Sequence, residues 1–504
     1  MQVHRDVVVK ARDGVSISVD VFRPDGAAPV PVIASMSPYG KDVHWPDRYP
    51  LYEVADQSEH AVWETPDPQW WTDRGYAVVR ADARGTGKSA GRLDVNGPKD
   101  AEDFYDVIEW CGTRPWSTGK VASSGISWYA VMGWRVAALQ PPHLAAVVAW
   151  EGLTDWYRDA CKQGGIYANG GNEAWWHSQV EPQRNTDDFA NLPDELRARE
   201  LLDDWYRERT VDLDRVTVPL LSAGNWGSIH LHLRGNIEGW LGAASEHKWL
   251  TVHTGSHIDP YYTGWGKRLQ LRFLDRFLKG DETAMDGVPP VRLAIRRGHD
   301  VEWRDEREWP LARTRWRELH LAGKALAWEK PEPGTTSYPA TFEFEAAERL
   351  ELTGPVALRL WISHEADDLD VFARLEHHDA DGTRIPALGP HGALTPVPMA
   401  VGWLRASHRK LDPERSTPYR PWHTHDEIQP LQPGTPTLLE IEFWPTSLTL
   451  EPGQRLRLQL LAGDDDLNPR LAHNHPGDRK SAEGATIHFG GEHPSHLLVP
   501  VIPE

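Results

Sequence analysis

Cysteine is nearly missing from this chain: Cys111 and Cys161 are the only two in 504 residues. That excludes a disulfide-stapled scaffold, and their spacing fits no zinc motif. Long apolar runs are missing too. The longest, Leu144 to Trp150, has seven residues, far short of the roughly 20 that cross a bilayer as a helix. Met1 to Asp6 has no apolar core like that of a signal peptide. Positive charge is in deficit, with a net charge of -20, and an acidic surface repels both nucleic acid and anionic membranes. The expectation is a cytoplasmic protein that binds neither. Its length suits two or three domains with sizeable cores.

Tryptophan is abundant, with 25 copies. Trp fills cores and domain seams and also lines apolar substrate pockets. Most are expected to pack the interior and a minority to line a pocket.

The chain reads as segments of different rhythm. Val7 to Phe22 alternates around Asp13-Gly14, a hairpin pattern. Short apolar strands follow at Pro31 to Ser35, Tyr76 to Arg80, Val121 to Ser123 and Leu144 to Trp150. Helical spacing separates them at Ala101 to Cys111 and Trp128 to Leu139. Strands alternating with helices imply a mainly parallel sheet covered on both faces. From Thr154 to Asp214 the composition turns to Trp, Asp, Arg and Glu, with helical stretches such as Pro193 to Arg207 and no evident strand, which fits an inserted helical cap. The sheet resumes at Val218 to Ser222 and Trp249 to Val252, and a helix with Leu269, Phe273 and Phe277 stops near Lys279-Gly280. From Val288 onward, alternating strands between Pro/Gly turns predict a β-sandwich, a jelly roll. The expected division is 1–153 and 215–287 for the two parts of an α/β domain, 154–214 for the cap and 288–504 for the jelly-roll domain.

Two motifs compete for the chemistry. Ala81 to Gly91, ADARGTGKSAG, ends like a phosphate loop, but Asp82 stands where that loop needs its first glycine. Ser124-Gly125-Ile126-Ser127-Trp128 instead joins a strand to a helix. In α/β-hydrolases a nucleophilic serine sits on such a turn, with Gly two residues earlier where there is no room for a side chain. Gly125 and Ser127 fit; Tyr129 stands where the usual motif has a second Gly.

With Ser37-Pro38-Tyr39-Gly40-Lys41-Asp42, Gly75 to Gly91, Gly125 to Trp134, Gly255-Ser256-His257 and Glu492 to His496, the chain resembles the cocaine esterase and X-prolyl dipeptidyl aminopeptidase family, which includes α-amino acid ester hydrolases and cephalosporin acylases. The resemblance covers nearly the whole chain and implies a hydrolase domain, a helical cap and a jelly roll. It also answers the phosphate-loop question: Asp82 to Gly87 resembles the family's D-x-R-G-x-G loop, whose glycines and arginine shape the turn and brace its neighbours. Lys88 is expected to point to solvent. Carried over to this sequence, Ser127 is the nucleophile and His257 its general base. The Trp128 backbone N–H and the Tyr39 hydroxyl form the oxyanion hole.

One position departs from the family. Relatives carry an aspartate that orients the histidine; here Ala223-Gly224-Asn225-Trp226-Gly227 places Gly227 there. Either catalysis is lost or another carboxylate has moved in. Glu151 is the preferred replacement, because it ends the strand beside the nucleophile strand, where active sites of open α/β sheets gather, and preserves the chain order nucleophile, acid, base. Asp155, Asp259 and Asn225 are the other candidates. The histidine pairs His230/His232, His423/His425 and His473/His475 lack a carboxylate or cysteine companion and read as loop and surface residues. No metal and no cofactor are expected.

The reading is a serine hydrolase that cleaves a small-molecule ester or amide of a small or aromatic acyl group through an acyl-enzyme, in a Trp-rich pocket between cap and sheet. The alternatives are an acyltransferase with the same acyl-enzyme, an X-Pro peptidase in which Glu173 or Glu181 grips an amine, and a non-catalytic binding protein with a decayed site. Relatives form dimers or larger assemblies, so the resemblance implies a homo-oligomer.

Overall fold

The computed structural model describes residues 1–48, 57–389, 392–464 and 472–503. The hairpin appears as β1 (Gln2–Lys10) and β2 (Ser16–Arg23), paired antiparallel, and turns at Gly14, φ 86°. Four short apolar strands follow: β3 (Val30–Ser37), β4 (Ala77–Asp82), β5 (Ser117–Ile126) and β6 (Leu144–Trp150). β4 pairs with β2 and β3, β3 with β5, and β5 with β6. The sheet continues in parallel through Leu220–Asn225, Lys248–His253 and Val291–Arg297. β5 therefore lies inside the sheet. The order reverses around β3, which has β4 on one side and β5 on the other; loops leaving the carboxyl ends of strands at such a reversal flank a crevice suited to ligands.

Alternation along these strands divides the interior into two layers. Val79, Val32, Ala34, Val147 and Ala149 face one apolar cluster with the helices Pro98–Gly112 and Trp128–Leu139. Val78, Ile33, Ala146 and Val148 face the other, with Trp71, Phe273 and Leu278. A sheet buried on both faces needs apolar residues at both parities, which is why these strands read as continuous apolar runs. The helix Gly264–Leu274 continues into a π-helical turn, Asp275–Lys279, and stops at Gly280, φ 78°.

The segment between β6 and Leu220 is mostly short helices, with two departures from expectation. The helix expected over Pro193 to Arg207 is broken into Leu192–Arg197 and Asp204–Arg207. Between them the Leu202 N–H donates to the His425 carbonyl at 2.8 Å, and Asp203 caps the second piece by accepting from Tyr206 N–H. A two-residue hairpin, Lys162–Gln163 with Ile166–Tyr167, also appears where no strand was expected. Its turn is Gly164-Gly165; a Cβ on Gly164 would lie 2.1 Å from the Trp403 carbonyl oxygen.

Beyond Val291–Arg297 the molecule is rich in antiparallel strands. Leu350–Ser363 pairs along its length with Thr437–Leu450 and also with His496–Ile502. Asp370–His378 pairs with Ala400–Arg405 and Arg455–Leu461. The inward residues Leu358, Leu360, Ile441 and Leu458 join one large apolar cluster. The only helical turn described there is Ala406–His408. No helix among the described residues is long and apolar enough to cross a membrane.

Candidate active site

Ser127 follows β5 and caps the helix Trp128–Leu139 with φ 56° and ψ -117°. A non-glycine residue held there is strained, and such strain persists only where the surroundings fix it. Here the Ser127 N–H donates to the Trp150 carbonyl at 3.0 Å, and its own carbonyl accepts from Val131 N–H at 3.0 Å. Gly125 is required because a Cβ there would come within 2.4 Å of the Tyr129 Cβ. Tyr129 takes the second-glycine position without conflict: it is buried, and its hydroxyl accepts from Ser37 at 2.7 Å. Glu64 and Glu151 also have positive φ, 65° and 46°. Three of the seven non-glycine residues with positive φ among those described thus converge here, because Glu64 and Glu151 meet on one imidazole.

That imidazole is His257, in the loop after Lys248–His253. Its Nδ1 is 2.8 Å from Glu151 Oε2, and its Nε2 is 3.0 Å from Glu64 Oε1. Glu151 ends β6 fully buried. Its Oε1 accepts from Asn225 Nδ2 at 3.1 Å and lies 3.2 Å from His253 Nε2. Burial alone would raise the Glu151 carboxyl, but His257 and His253 hold it well below the usual carboxylate range. Burial likewise opposes charge on His257, yet Glu151 and then Glu64 outweigh it and push the imidazole up to about 10. His232 stacks on His257 with ring centroids 5.5 Å apart; burial and its charged neighbour push it down to about 3.

Gly227, at the place of the family's usual acid, brings no carboxylate. Its N–H donates to Asn225 Oδ1 at 2.9 Å, while Asn225 Nδ2 also reaches the Gly255 carbonyl at 3.0 Å. Asn225 thereby ties the two loops to Glu151. Asp155 is committed to Arg158 at 2.6 Å, and Asp259 opens the short helix Asp259–Tyr262 without touching His257.

Tyr39 follows β3, the neighbour of β5. Its hydroxyl accepts from the Trp175 indole N–H at 2.9 Å, which polarises its own O–H and makes it a stronger donor. Trp128, as the first helical residue, has an N–H with no carbonyl partner inside the helix; its ring stacks on Trp175 at 5.1 Å and meets Trp156 edge-on at 5.8 Å. Trp156 and Trp175 come from the segment between β6 and Leu220, which thus covers the serine turn with aromatic surface.

The serine turn is tied to the two glutamates through its backbone, since Ser127 N–H donates to the carbonyl of Trp150, the residue before Glu151, but Ser127 and His257 are not hydrogen-bonded to each other. Ile126 N–H donates to the Glu64 carbonyl at 3.0 Å, so Glu64 borders the serine turn while its carboxylate takes the Nε2 that a nucleophile would use. If His257 carried only its Nδ1 proton, two acceptors would face each other across 3.0 Å, so one further proton lies between Nε2 and Glu64. Sequence reasoning missed Glu64, His232, His253 and Trp175. Glu64 stands in a loop with no periodicity, and nothing local marks it.

The remaining sequence candidates serve structure. Asp82 accepts from the Lys41 and Lys88 N–H groups at 2.6 and 2.9 Å, so one amide of this loop and one from the turn after β3 hold the chain's own carboxylate where a phosphate loop would hold its ligand. Arg84 pairs with Asp103 and Asp13. Lys88 is half-exposed, but it pairs with Asp6 and Asp42 rather than pointing free into solvent. The histidines expected at the surface are mostly interior: His230, His232, His423, His425 and His473 are all buried, because residues distant in sequence pack on them, Tyr157 on His425, His257 on His232 and Trp403 on His473. His473 pairs with Asp464 at 2.7 Å. A cavity of about 1010 Å³ lies elsewhere, lined in part by Arg158, Arg234, Trp309, Arg420 and Trp422, and includes none of the five expected site residues.

A strained serine between strand and helix, under a buried carboxylate–histidine pair, is the signature of a class. The sequence profile of the X-Pro dipeptidyl-peptidase (S15 family) matches residues 13–259, and that of the X-Pro dipeptidyl-peptidase C-terminal non-catalytic domain matches 283–498. The chain is a serine hydrolase of the ester hydrolase or acylase type. Cocaine esterase from Rhodococcus sp. (strain MB1 Bresler) is 24% identical over 99% of this chain and 98% of its own. A crystal structure of a CocE/NonD family hydrolase from Staphylococcus aureus is 30% identical, covers 99% of this chain and 94% of its own, and superposes with a TM-score of 0.92. An α-amino acid ester hydrolase shares the fold at 17% identity, with a TM-score of 0.73 over 99% of this chain and 96% of its own. The chain belongs to the cocaine esterase and X-prolyl dipeptidyl aminopeptidase family, in its CocE/NonD group.

Proposed function

We propose that this protein hydrolyses an ester of a small or aromatic acyl group, with Ser127 as nucleophile, His257 as general base and Glu151 as the acid that replaces the one missing at Gly227. The observation that carries the reading is the 2.8 Å contact between Glu151 Oε2 and His257 Nδ1 beside the strained serine. Glu151 fixes the imidazole's tautomer and supports its charge as Ser127 yields its proton. Attack on the carbonyl carbon forms a tetrahedral oxyanion that takes hydrogen bonds from Trp128 N–H and Tyr39 O–H. Return of the proton from His257 to the leaving alkoxide releases the alcohol, and water repeats the sequence on the acyl-enzyme. The Trp128, Trp156 and Trp175 faces suit a flat acyl group.

In this reading, residues 1–153 and 215–287 form an α/β-hydrolase domain, 154–214 the cap and 288–504 a jelly roll, and the net charge of -20 suits a cytoplasmic enzyme that avoids nucleic acid. Ester cleavage is favoured over X-Pro peptidase action because Glu173 is committed to Arg197 and Tyr167, and Glu181 to His177. The test is an ester panel of graded acyl size together with fluorophosphonate labelling. Ser127→Ala should abolish labelling and lower turnover by roughly 10⁴-fold or more; labelling that persists in the variant would refute the assignment.

A further inference from the structure

Among the described residues, two groups of acids and histidines are close enough to hold a cation. In the first, Asp6, Asp20 and Asp42, the place is already filled: the buried Lys41 ammonium lies 2.6, 2.9 and 3.0 Å from the three carboxylates. The second is Glu318, His320 and His496, in the strand-rich part. Its donor atoms, one from each residue, all lie within 4.8 Å of one another, and no lysine or arginine is placed among them.

The backbone register builds this group. The strands Arg315–Ala322 and His496–Ile502 run antiparallel, with His320 directly opposite His496. Glu318, two residues before His320, projects from the same face. Glu318 Oε2 is 3.4 Å from His320 Nε2, and Glu318 Oε1 is 3.6 Å from His496 Nε2. Ligand atoms at zinc–nitrogen and zinc–oxygen distances on a tetrahedron stand about 3.3 Å apart, close to the two glutamate–imidazole distances, and side-chain rotation has to close the rest of the triangle, which spans at most 4.8 Å.

The proton inventory points the same way. His496 Nδ1 lies 2.9 Å from the Pro494 carbonyl oxygen. A carbonyl only accepts, so Nδ1 carries the hydrogen and the neutral ring turns its Nε2 lone pair toward Glu318. His320 is 3% exposed, and its Nδ1 is buried with no hydrogen-bond partner. Two imidazoles and a carboxylate are the donor set that zinc takes. The cations that reach this pair electrostatically are Lys330 and Arg359, and Arg359 is already paired with Glu440 at 2.5 Å.

We propose that Glu318, His320 and His496 form a zinc site that clamps the C-terminal strand His496–Ile502 to Arg315–Ala322, with a fourth position open to solvent beside the half-exposed Glu318. Neither strand carries a residue of the catalytic site, so the ion is a structural clamp and takes no part in hydrolysis.

Full-length protein stripped with EDTA and desalted should be titrated with Co²⁺, whose visible absorption reports coordination, and then with Zn²⁺. The expected result is one Co²⁺ per chain with the bands of a four- or five-coordinate nitrogen–oxygen site, displaced by one equivalent of Zn²⁺. Other histidine clusters could also take up cobalt, so the variants decide the location. Glu318→Gln and His496→Gln should each weaken binding at least about tenfold while ester turnover stays unchanged. Glu318→Gln alters a half-exposed side chain and keeps the test valid if the histidine variant fails to fold. Absence of the bands in the parent protein, or parental affinity in Glu318→Gln, would overturn the proposal.

Discussion

Buried charge is handled in two ways in this molecule. Where the segment between β6 and Leu220 and the strand-rich part meet the rest, the cations are arginines. Arg405 is held by Asp370 at 2.8 Å and Asp478 at 2.9 Å, and Arg234 by Asp159 at 2.8 Å and Glu442 at 3.0 Å. At the serine turn the buried cation is a histidine between two glutamates. A guanidinium never gives up its proton in a protein, so these arginines keep their charge and serve as fixed struts. An imidazole between the same kind of carboxylates holds a proton that can leave. The arrangement of acids is similar; in the proposed function the choice of cation separates a joint from a reaction site.

The sharpest way to break that comparison is to remove the acid from the reactive cluster. Glu151→Gln leaves a neutral group against His257 Nδ1, which no longer supports the imidazolium, and turnover should fall by roughly 10⁴-fold. Turnover near the parental value in steady-state kinetics would show that the acid lies elsewhere. At the joint the effect should appear in stability instead. Arg405→Met strands the buried Asp370 carboxylate without its cation, at a cost of about 3–5 kcal/mol, while Asp478 keeps Lys162 at 3.6 Å. Denaturant melts should register that loss while turnover per folded molecule stays unchanged; a matching loss of turnover would mean that the joint also shapes the site.

The difference in cation also explains what the sequence could reveal. Ser127 was legible because a strand, a glycine two residues before the serine and a following helix leave little other geometry for the turn. Glu151 was legible by its place at the end of β6, once Gly227 had left the acid's usual position empty. The boundaries Trp128–Leu139 and Leu144–Trp150 were legible because buried apolar runs and helical spacing are local. Glu64 was not, since its role depends on a loop, held to the end of β5 by the Ile126 N–H, meeting a residue from the loop after Lys248–His253. Nor were the buried histidines, which sit in polar loops and are covered by strands distant in sequence. The Glu318, His320 and His496 group depends on one strand register, and no pattern within either strand fixes that register.

Glu64→Gln should have the smallest effect on maximal rate and the most particular one on pH. General-base action needs neutral His257, so the proton shared by Nε2 and Glu64 must leave before Ser127 can use that nitrogen. With the imidazole pushed up to about 10, turnover in the parent protein should climb with pH well past neutrality. An amide at position 64 no longer stabilises the imidazolium, so the acid limb of the pH–rate profile should move to lower pH and turnover at neutral pH should rise. Stability should respond in the opposite sense. The folded value of His257 lies above the unfolded value of about 6.5, so the carboxylate–imidazolium contact stabilises fully below that pH and loses its contribution as pH rises through about 10. Glu64→Gln should therefore be less stable than the parent in mildly acidic buffer and nearly equal to it in strongly alkaline buffer. An acid limb that stays in place, with a stability loss independent of pH, would make Glu64 a packing residue and leave Glu151 alone to account for the raised imidazole.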